Sequence, residues 1–284
     1  MPELPEVETI KNDLRSTVIG RTIETVRVLD PRLVHYPSLG AFRSGLEGQT
    51  ILAVDRRAKY LLLRLSSDRM LVIQLMLTGQ LLLVQPERPL VKSTRMILDL
   101  DGDEQLRLVD SIHFARVNLV DAEELDRLLH LRELGPEANS PELTLERFAD
   151  LIRSHNRQIK PLLLNQRVIS GLGNIYTDES LFAARIHPLR RASSLTPLEI
   201  ENLYHAMREI LREAVALRGT TTRSYRDVGG EKGQFQQRLK VAVRAGKPCI
   251  GCPGVVERIV VGGRETYICP SCQRLEAPAE RRAA

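Results

Sequence analysis

The sequence predicts an α+β protein with a sheet-rich N-terminal region, a helical middle region and a small C-terminal module. Three observations lead to this prediction. Short apolar runs separated by turn residues fill residues 22–120, helical patterns dominate residues 145–218, and every cysteine lies at or after residue 249. With 284 residues the chain exceeds the usual size of one domain, so we expect several domains.

The first predicted element is a helix over Glu3–Ile19. Apolar residues recur at helical spacing from Val7 to Val18, and Gly20 provides a stop. From Thr22 the pattern changes to short β runs with local turns, which favours an antiparallel sandwich or barrel. The predicted strands are Ile23–Leu29, Ile51–Val54, Tyr60–Leu65, Met70–Leu75, Gln80–Val84, Met96–Leu100, Gln105–Val109 and Val117–Val120.

The later part of the chain is helical by its pattern. Thr196 and Glu199 form a capping box at the start of a helix that runs to about Arg218. The next segment, Thr220–Gly246, is polar and glycine-rich with few apolar anchors. We therefore expect a long, partly mobile loop that leads to a strand at Lys240–Arg244.

Changes in composition set the predicted domain limits. A helix near Ala122–Leu134 closes the first domain, and a stretch containing glycine and two prolines follows it. The predicted parts are a sheet domain at residues 1–134, a linker at 135–144, a helical domain at 145–239, a cysteine module at 240–276 and a disordered tail at 277–284.

The four cysteines form two pairs with the spacing of a zinc site. Two residues separate Cys249 from Cys252 and Cys269 from Cys272, so each pair can direct two sulfurs to one point. Two disulfides are disfavoured without a secretory signal, and a redox pair does not need a matching second pair. We therefore predict one structural Zn²⁺ held by a hairpin.

Charge and composition narrow the possible partners. Lys and Arg exceed Asp and Glu by 41 to 36, which is compatible with a nucleic-acid partner but not specific for one. The absence of Trp and the 4% aromatic content disfavour a single-strand binder built on stacking platforms. The start is acidic rather than signal-like, and no apolar run is long enough to span a bilayer. We therefore expect a cytoplasmic protein with no membrane partner.

Pro2 is the first residue that could carry chemistry. Removal of Met1 would expose a secondary amine, and the pKa of an α-amino group, about 7.7–8.0, leaves a nucleophilic fraction at neutral pH. Such an amine can attack a sugar C1′ and form an iminium. The alternative is a proline that only starts a helix. Glu3 could be a proton donor beside this amine, but Glu3 and Glu6 also fit the preference of acids for helix N-termini.

Two other stretches could contact phosphate, and a third is a cluster of basic residues. The glycines of Gly171–Asn174 precede a helical pattern and could present free backbone N–H groups, although the stretch also matches a dinucleotide fingerprint weakly. Arg264 lies at the expected tip of the cysteine hairpin, where its guanidinium could clamp a phosphate or be only solvated. Lys59 follows Arg56 and Arg57 between two β runs, and such clusters are usually solvated surface.

Together these segments resemble one family, the formamidopyrimidine-DNA glycosylases. The match covers about residues 1–275. The motifs that carry it are Met1–Thr9, Arg57–Leu61, Gly171–Tyr176 and the cysteine module with Gly263–Gln273. The resemblance implies an N-terminal β-sandwich with its helix, a helix–two-turn–helix domain and a zinc finger. It further implies excision of oxidised purines such as 8-oxoguanine and formamidopyrimidines from duplex DNA, with β,δ-elimination at the abasic site.

Position by position, the resemblance implies a set of roles. Pro2 would be the Schiff-base nucleophile and Glu3 the general acid, with Glu6 supporting the site. Lys59 would donate a proton and contact phosphate. The other implied roles are phosphate binding for Arg264 and Asn174, a basic supporting position near the lesion strand for Lys160, a base-capping loop at residues 225–233, and zinc ligation by the four cysteines.

Two motifs depart from the pattern of that family. Leu77 takes the position of the residue that intercalates into the duplex, for which an apolar side chain is suitable. The loop after Asp110 retains Phe114, but Ile112 and His113 stand where the family has two arginines. Isoleucine cannot donate a hydrogen bond to the orphaned base, and a good bidentate contact is worth about 1–3 kcal/mol. We therefore expect a weaker preference for the base opposite the lesion.

Alternative functions remain open at this point. We call Leu77, Ile112 and Phe114 the wedge residues. The changes at Leu77 and Ile112 are compatible with a relative selective for oxidised pyrimidines or abasic sites. A non-catalytic protein that binds damaged DNA is a second alternative, but it would not need a terminal amine. The expected partner is duplex DNA with damaged bases, and we expect a monomer located with the nucleoid in the bacterial cytoplasm.

Overall fold

A computed structural model describes residues 2–126 and 130–275 of the chain. The chain falls into two compact units. The first comprises residues 1–134 with 213–237, and the second comprises residues 135–212 with 238–284. The segment 213–237 thus belongs to the first unit, although it is distant from the rest of that unit in sequence.

In the described residues of the first unit most strands follow one another directly, and in the second unit the helices precede a two-stranded hairpin. The helices are α1 (Leu4–Thr17), α2 (Leu39–Leu46), α3 (Leu145–Arg153), α4 (Ile159–Leu163), α5 (Asn174–Ala183) and α6 (Pro197–Ala216). The strands are β1 (Ile23–Val28), β2 (Val34–Tyr36), β3 (Ile51–Arg57), β4 (Tyr60–Leu65), β5 (Arg69–Gln74), β6 (Gln80–Val84), β7 (Thr94–Leu100), β8 (Glu104–Val109), β9 (Arg116–Asp121), β10 (Glu257–Val261) and β11 (Arg264–Ile268).

The first unit contains two sheets, so the sandwich and not the barrel is formed. One sheet has the order β1-β7-β8-β6 and the other the order β2-β9-β5-β4-β3. All pairs are antiparallel except β2 with β9. Alternate residues of the strands face one core, which also receives Val7, Ile10 and Leu14 of α1. Burial of this apolar stripe fixes the first turn of α1, and with it the N-terminal residues, on the sandwich.

Sequence patterns missed β2 and α2, because β2 is only three residues long and α2 is eight. The helix predicted near Ala122–Leu134 includes residues 127–129, which lie outside the described part. On either side of them are the 3₁₀ turns Ala122–Glu124 and Leu131–Glu133. The tail predicted at residues 277–284 also lies outside the described residues.

Two predictions for the segment after α6 are wrong. Residues 240–244 form turns and not a strand, because a buried carboxylate binds the N–H groups of residues 240–242. The segment also has apolar anchors: Tyr225, Val228 and Phe235 are at most 4% exposed. Tyr225 and Val228 belong to the core of the sandwich, and Val228 O accepts a hydrogen bond from Leu83 N of β6.

The second unit contains α3, α4, α5 and most of α6, together with the β10–β11 hairpin. The predicted capping box of α6 is confirmed, since Glu199 Oε2 accepts from Thr196 N and Thr196 Oγ1 accepts from Glu199 N. Among the residues that the structure describes, no helix combines the length and the apolar character that a membrane span requires.

Candidate active site and nucleic-acid interface

The N-terminal residues are held by a buried carboxylate. Glu3 and Glu6 are each 2% exposed, and Pro2 is also buried. Glu6 Oε2 accepts from Glu3 N at 2.7 Å, and Glu6 Oε1 accepts from Thr220 N at 2.7 Å. One carboxylate therefore fixes the residue next to Pro2 and the start of the 220–237 segment together.

Lys59 lies in the tight turn between β3 and β4. Its neighbour Ala58 has a φ of 51°, so the turn reverses the chain within two residues. The Arg56 guanidinium donates to Ala58 O at 2.9 Å and to Glu8 Oε2 at 2.8 Å. Because Glu8 belongs to α1, this pairing fixes the Lys59 turn relative to the helix that carries Glu3. Arg56 is therefore a positioning residue and not part of a solvated surface.

Asp110 organises the loop that carries the apolar wedge residues. Its Oδ2 accepts from Phe114 N at 2.7 Å and Ala115 N at 2.8 Å, and its Oδ1 accepts from Ile112 N at 3.3 Å. Thr78 donates a further hydrogen bond to Oδ1. Burial raises the pKa of Asp110, but these hydrogen bonds outweigh it and lower the pKa overall. The Leu77 turn and the Ile112–Phe114 loop are therefore fixed by one carboxylate.

The wedge residues project into solvent. Leu77 is 39% exposed, Ile112 40% and Phe114 51%. Exposure of apolar side chains at the tips of two adjacent loops does not stabilise the free protein. They are suited to insertion between bases, where their apolar surface is covered.

The segment after α6 is fixed to the sandwich by charge as well as by apolar contacts. The Arg218 guanidinium donates to Asp13 Oδ2 at 2.6 Å and to Asp227 Oδ2 at 2.7 Å. These contacts raise the pKa of Arg218, so the cation is retained at any physiological pH. The loop predicted to cap a base, residues 225–233, therefore has a charged anchor on α1.

Asn174 and Arg264 belong to the second unit. Asn174 begins α5 directly after Gly173, and its Nδ2 donates to Glu265 O at 2.8 Å. Arg264 is exposed and follows the turn residues Gly262 and Gly263, whose φ values of 57° and 73° allow a two-residue hairpin turn. Asn174 therefore contacts the strand that begins with Arg264.

Lys160 is completely buried, so its ammonium is not a surface group. Its Nζ donates to Asp178 Oδ1 at 2.6 Å, Thr266 Oγ1 at 2.8 Å and Glu265 O at 3.0 Å. Asp178 Oδ2 in turn accepts from Tyr267 N at 3.0 Å. The pair thus holds β11 beside α5 and positions the strand that carries Arg264. Burial raises the pKa of Asp178 to about 7, and the Lys160 charge opposes this shift.

The four cysteines are free thiols that converge on one point. Their sulfurs all lie within 4.8 Å of one another, with 3.9 Å between Cys249 and Cys272 and 3.4 Å between Cys252 and Cys269. A tetrahedral Zn²⁺ with bonds of about 2.3 Å needs sulfurs about 3.8 Å apart. The donor set therefore fits one structural zinc with a closed coordination shell.

Several positioning residues were not found from the sequence. Asp110 begins the loop that carries Ile112 and Phe114, but its role depends on a turn in which the following backbone N–H groups donate to its carboxylate. One feature of the sequence could have indicated Asp178: it is four residues after Asn174 and therefore on the same face of α5. No feature of the sequence indicates that Glu179 accepts from the N–H groups of Val241 and Ala242.

Three family models match consecutive parts of the chain. They are described as the formamidopyrimidine-DNA glycosylase N-terminal domain at residues 1–117, the H2TH domain of the same glycosylase at residues 134–226, and a zinc finger found in FPG and IleRS at residues 246–275. The third match coincides with the four-sulfur site, and the chain carries one structural zinc there.

Relatives with that name match over nearly the full chain. A formamidopyrimidine-DNA glycosylase of Pelotomaculum thermopropionicum is 42% identical over 97% of this chain and 100% of its own length. One from Enterococcus faecalis is 39% identical over 97% of this chain and 98% of its own length. A solved complex of a Lactococcus lactis relative with abasic-site DNA has a TM-score of 0.90 and 32% identity, covering 96% of this chain and 100% of that one.

Proposed function

The chain belongs to the formamidopyrimidine-DNA glycosylase family and is a base-excision-repair glycosylase, with the abasic-site lyase activity known for the family, and we propose that Pro2 is its nucleophile. The substrates we propose are oxidised purines in duplex DNA, including 8-oxoguanine and formamidopyrimidines. Glu3 and Lys59 handle protons, and Asn174 and Arg264 bind the backbone around the lesion.

The proposed reaction begins with the amine of Pro2, once Met1 has been removed. Its nitrogen bonds to the sugar C1′ and the glycosidic bond breaks, so the base leaves with a proton that Glu3 donates. Opening of the sugar ring gives an iminium between Pro2 and C1′. Loss of a C2′ proton then expels the 3′ phosphate, and a second elimination expels the 5′ phosphate. Water finally releases Pro2 from the remaining sugar fragment.

One observation carries this proposal: the Glu6 carboxylate fixes Glu3 and joins it to Thr220. Pro2 and Glu3 are therefore held at the N-terminus of α1 by a group that cannot move without breaking two buried hydrogen bonds. A fixed position at the start of α1 favours attack by the Pro2 nitrogen on a bound sugar.

The second unit would act mainly on the backbone. The exposed guanidinium of Arg264 is suited to bidentate phosphate contact, and Asn174 lies beside the strand that begins with Arg264. Lys160 pairs with Asp178, which binds β11 and so positions the strand that carries Arg264. The structural zinc, when bound, closes the base of the hairpin and takes no part in proton transfer.

For the wedge we propose Leu77 and Phe114 as intercalating groups, with Ile112 facing the orphaned base. Isoleucine has no hydrogen-bond donor, so excision of 8-oxoguanine should vary little with the opposite base. Excision rates measured with each of the four opposite bases test this. Strong selectivity for cytosine would contradict it and would require another base-reading residue.

Comparison of base excision with abasic-site cleavage tests the catalytic role of Glu3. The Glu3→Gln variant should lose excision of 8-oxoguanine, because no acid protonates the departing base. Cleavage of a preformed abasic site should fall less, because no base departs there. Glu24→Gln, which changes an exposed acid on β1, is the matched control. Equal loss of both activities in Glu3→Gln, with Glu24→Gln unaffected, would contradict the assignment of Glu3 as the acid for base departure.

The oligomeric state and the location in the cell complete the proposal. We propose a monomer, which light scattering of the purified chain tests directly. We also propose a location with the nucleoid in the bacterial cytoplasm, for which the bacterial relatives and the DNA substrate are the support.

A further inference from the structure

A cluster of charged groups lies directly beside the wedge loop. His113, between Ile112 and Phe114, contacts Asp30, Arg32 and Arg95. Asp30 and Arg32 come from the turn before β2, and Arg95 belongs to β7. The loop itself carries no arginine, but the fold brings two guanidinium groups to it.

The geometry of Arg32 is fixed by Asp30. Arg32 Nε donates to Asp30 Oδ1 at 2.9 Å and Nη2 donates to Oδ2 at 3.0 Å. Asp30 is well satisfied, because it also accepts from Arg32 N at 3.2 Å. The Arg32 hydrogen bonds outweigh the effect of burial and lower the pKa of Asp30, so its carboxylate stays charged in the working range.

The imidazole of His113 lies between the charged groups of this cluster. Its Nδ1 lies 2.5 Å from Asp30 Oδ2 and 2.7 Å from Arg32 Nη2. Its Nε2 lies 3.1 Å from Arg95 Nη2. Arg32 and Arg95 supply two cations and Asp30 supplies one anion, so the net charge of the cluster is positive.

The positive charge is the accessible part of the cluster. The Arg32 side chain is 71% exposed, whereas the Asp30 side chain is 9% exposed. An ion pair in which only the cation reaches solvent presents a positive surface. That surface lies next to apolar groups that are themselves exposed, Ile112 and Phe114.

The contacts of Arg32 also determine what it can bind. Nε and one side of Nη2 face Asp30, and His113 Nδ1 lies 2.7 Å from Nη2. Nη1 makes no hydrogen bond to any residue that the structure describes. Reading a base edge by a bidentate contact needs two adjacent donors, whereas a phosphate oxygen needs only one donor and a charge.

We infer that Arg32 is a DNA-binding residue of the wedge region and that its ligand is a backbone phosphate oxygen. The inference rests on the proposed function, because it requires the wedge loop to face DNA. A phosphate contact orients the wedge without reading sequence. The expected role of Arg32 is therefore affinity and placement, with no effect on the choice of opposite base.

The test compares Arg32→Gln with Arg27→Gln. Arg27 on β1 is also an exposed arginine paired with an aspartate, Asp99, so both variants lose one charge and one ion pair. Binding of the full chain to a duplex with a stable abasic-site analogue is measured over a range of salt concentrations. Arg32→Gln should weaken binding about tenfold at low salt and reduce the salt slope by about 0.9. Arg27→Gln should match wild type, and Arg32→Lys should keep the wild-type slope.

The outcomes separate the possible failures. Equal losses for both glutamine variants would overturn the inference, because the loss would then be one of general charge. A loss in Arg32→Gln that varies with the base opposite the lesion would overturn the phosphate assignment. A wild-type chain that fails to distinguish the damaged duplex from an undamaged one would contradict the proposed function instead. Melting temperatures of all variants check that the lost ion pair has not unfolded the sandwich.

Discussion

Asp110 in the first unit and Asp178 in the second are both buried carboxylates, but they hold their loops in different ways. Asp110 accepts hydrogen bonds from three backbone N–H groups within five residues of itself and from Thr78. Asp178 pairs with the buried ammonium of Lys160 and binds a backbone N–H of β11, which is distant in sequence. The first arrangement uses neutral donors, most of them local in sequence. The second is long-range and uses a charge pair.

The two arrangements should differ in their sensitivity to a single substitution. Loss of one neutral hydrogen bond to a buried group costs about 1–3 kcal/mol. Loss of one partner of a buried ion pair costs about 3–5 kcal/mol, because the remaining charge has no compensation. The wedge loop should therefore tolerate alteration better than the hairpin that carries Arg264.

Removal of zinc should have the largest effect, and it should destabilise the hairpin of the second unit but not the sandwich of the first. Structural zinc contributes about 10–16 kcal/mol in small zinc-finger peptides, so a chelator should unfold the hairpin module. Hydrogen exchange should increase over residues 246–275 and remain unchanged in the sandwich strands. A hairpin that stays protected without metal would mean that the Lys160–Asp178 pair alone holds it.

The second largest effect is expected for Lys160→Met. This change leaves Asp178 buried without its cation, so the free energy of unfolding should fall by about 3–5 kcal/mol. Urea unfolding measures it. The double variant Lys160→Met/Asp178→Leu, which removes both charges, should recover much of the loss. If the double variant is as unstable as the single one, the packing and not the charge of Lys160 is what matters.

Asp110→Asn should have a smaller effect. Asparagine keeps one acceptor oxygen but loses the charge and one acceptor, so we expect a loss of about 1–3 kcal/mol. Base excision should fall more than stability suggests, because Leu77 and Phe114 lose their common anchor. Asp103→Asn, in an exposed turn where φ is 59°, is the control and should be neutral. A control that behaves like Asp110→Asn would contradict the role of Asp110.

The pH dependence of Asp110 has a defined sign. Its pKa is lowered in the folded protein, so its contribution is complete above the unfolded value of about 3.9 and is lost as pH falls through the folded value. The stability difference between wild type and Asp110→Asn should therefore be constant near neutral pH and shrink below about pH 4. A difference that shrinks as pH rises would have the wrong sign.

The smallest expected effect is a gain. Val243 has a φ of 54° and is 50% exposed, just after the N–H groups that Glu179 binds. A β-branched residue in this region is strained by about 1–3 kcal/mol, and glycine relieves the strain at an entropic cost of about 0.5–1 kcal/mol. Val243→Gly should therefore raise the melting temperature slightly. Val260→Gly, at an exposed strand position, should lower it.

The sequence alone was sufficient for features that depend on local pattern. The strands from Tyr60 and Gln80, the α6 capping box and the four-cysteine site are of this kind, because periodicity, caps and ligand spacing lie within a few residues. The turn at residues 240–244 could not be predicted, because it depends on Glu179, about sixty residues earlier. The burial of Lys160 depends in the same way on β11.

The same distinction between local pattern and long-range packing applies to the candidate site residues. Pro2, Glu3 and Lys59 could be named because their motifs are continuous in sequence. Arg32 could not, because its place beside His113 is created by the packing of separate parts of the first unit.

Trapping of the covalent intermediate tests the central proposal most directly. The protein, with Met1 removal verified by intact mass, is incubated with duplexes carrying an abasic site or 8-oxoguanine, and borohydride is added. An adduct with both duplexes that peptide mapping assigns to Pro2 is the expected result, because reduction fixes the iminium. No adduct from protein with a free Pro2 and bound zinc, or an adduct mapped to a lysine, would contradict Pro2 as the nucleophile.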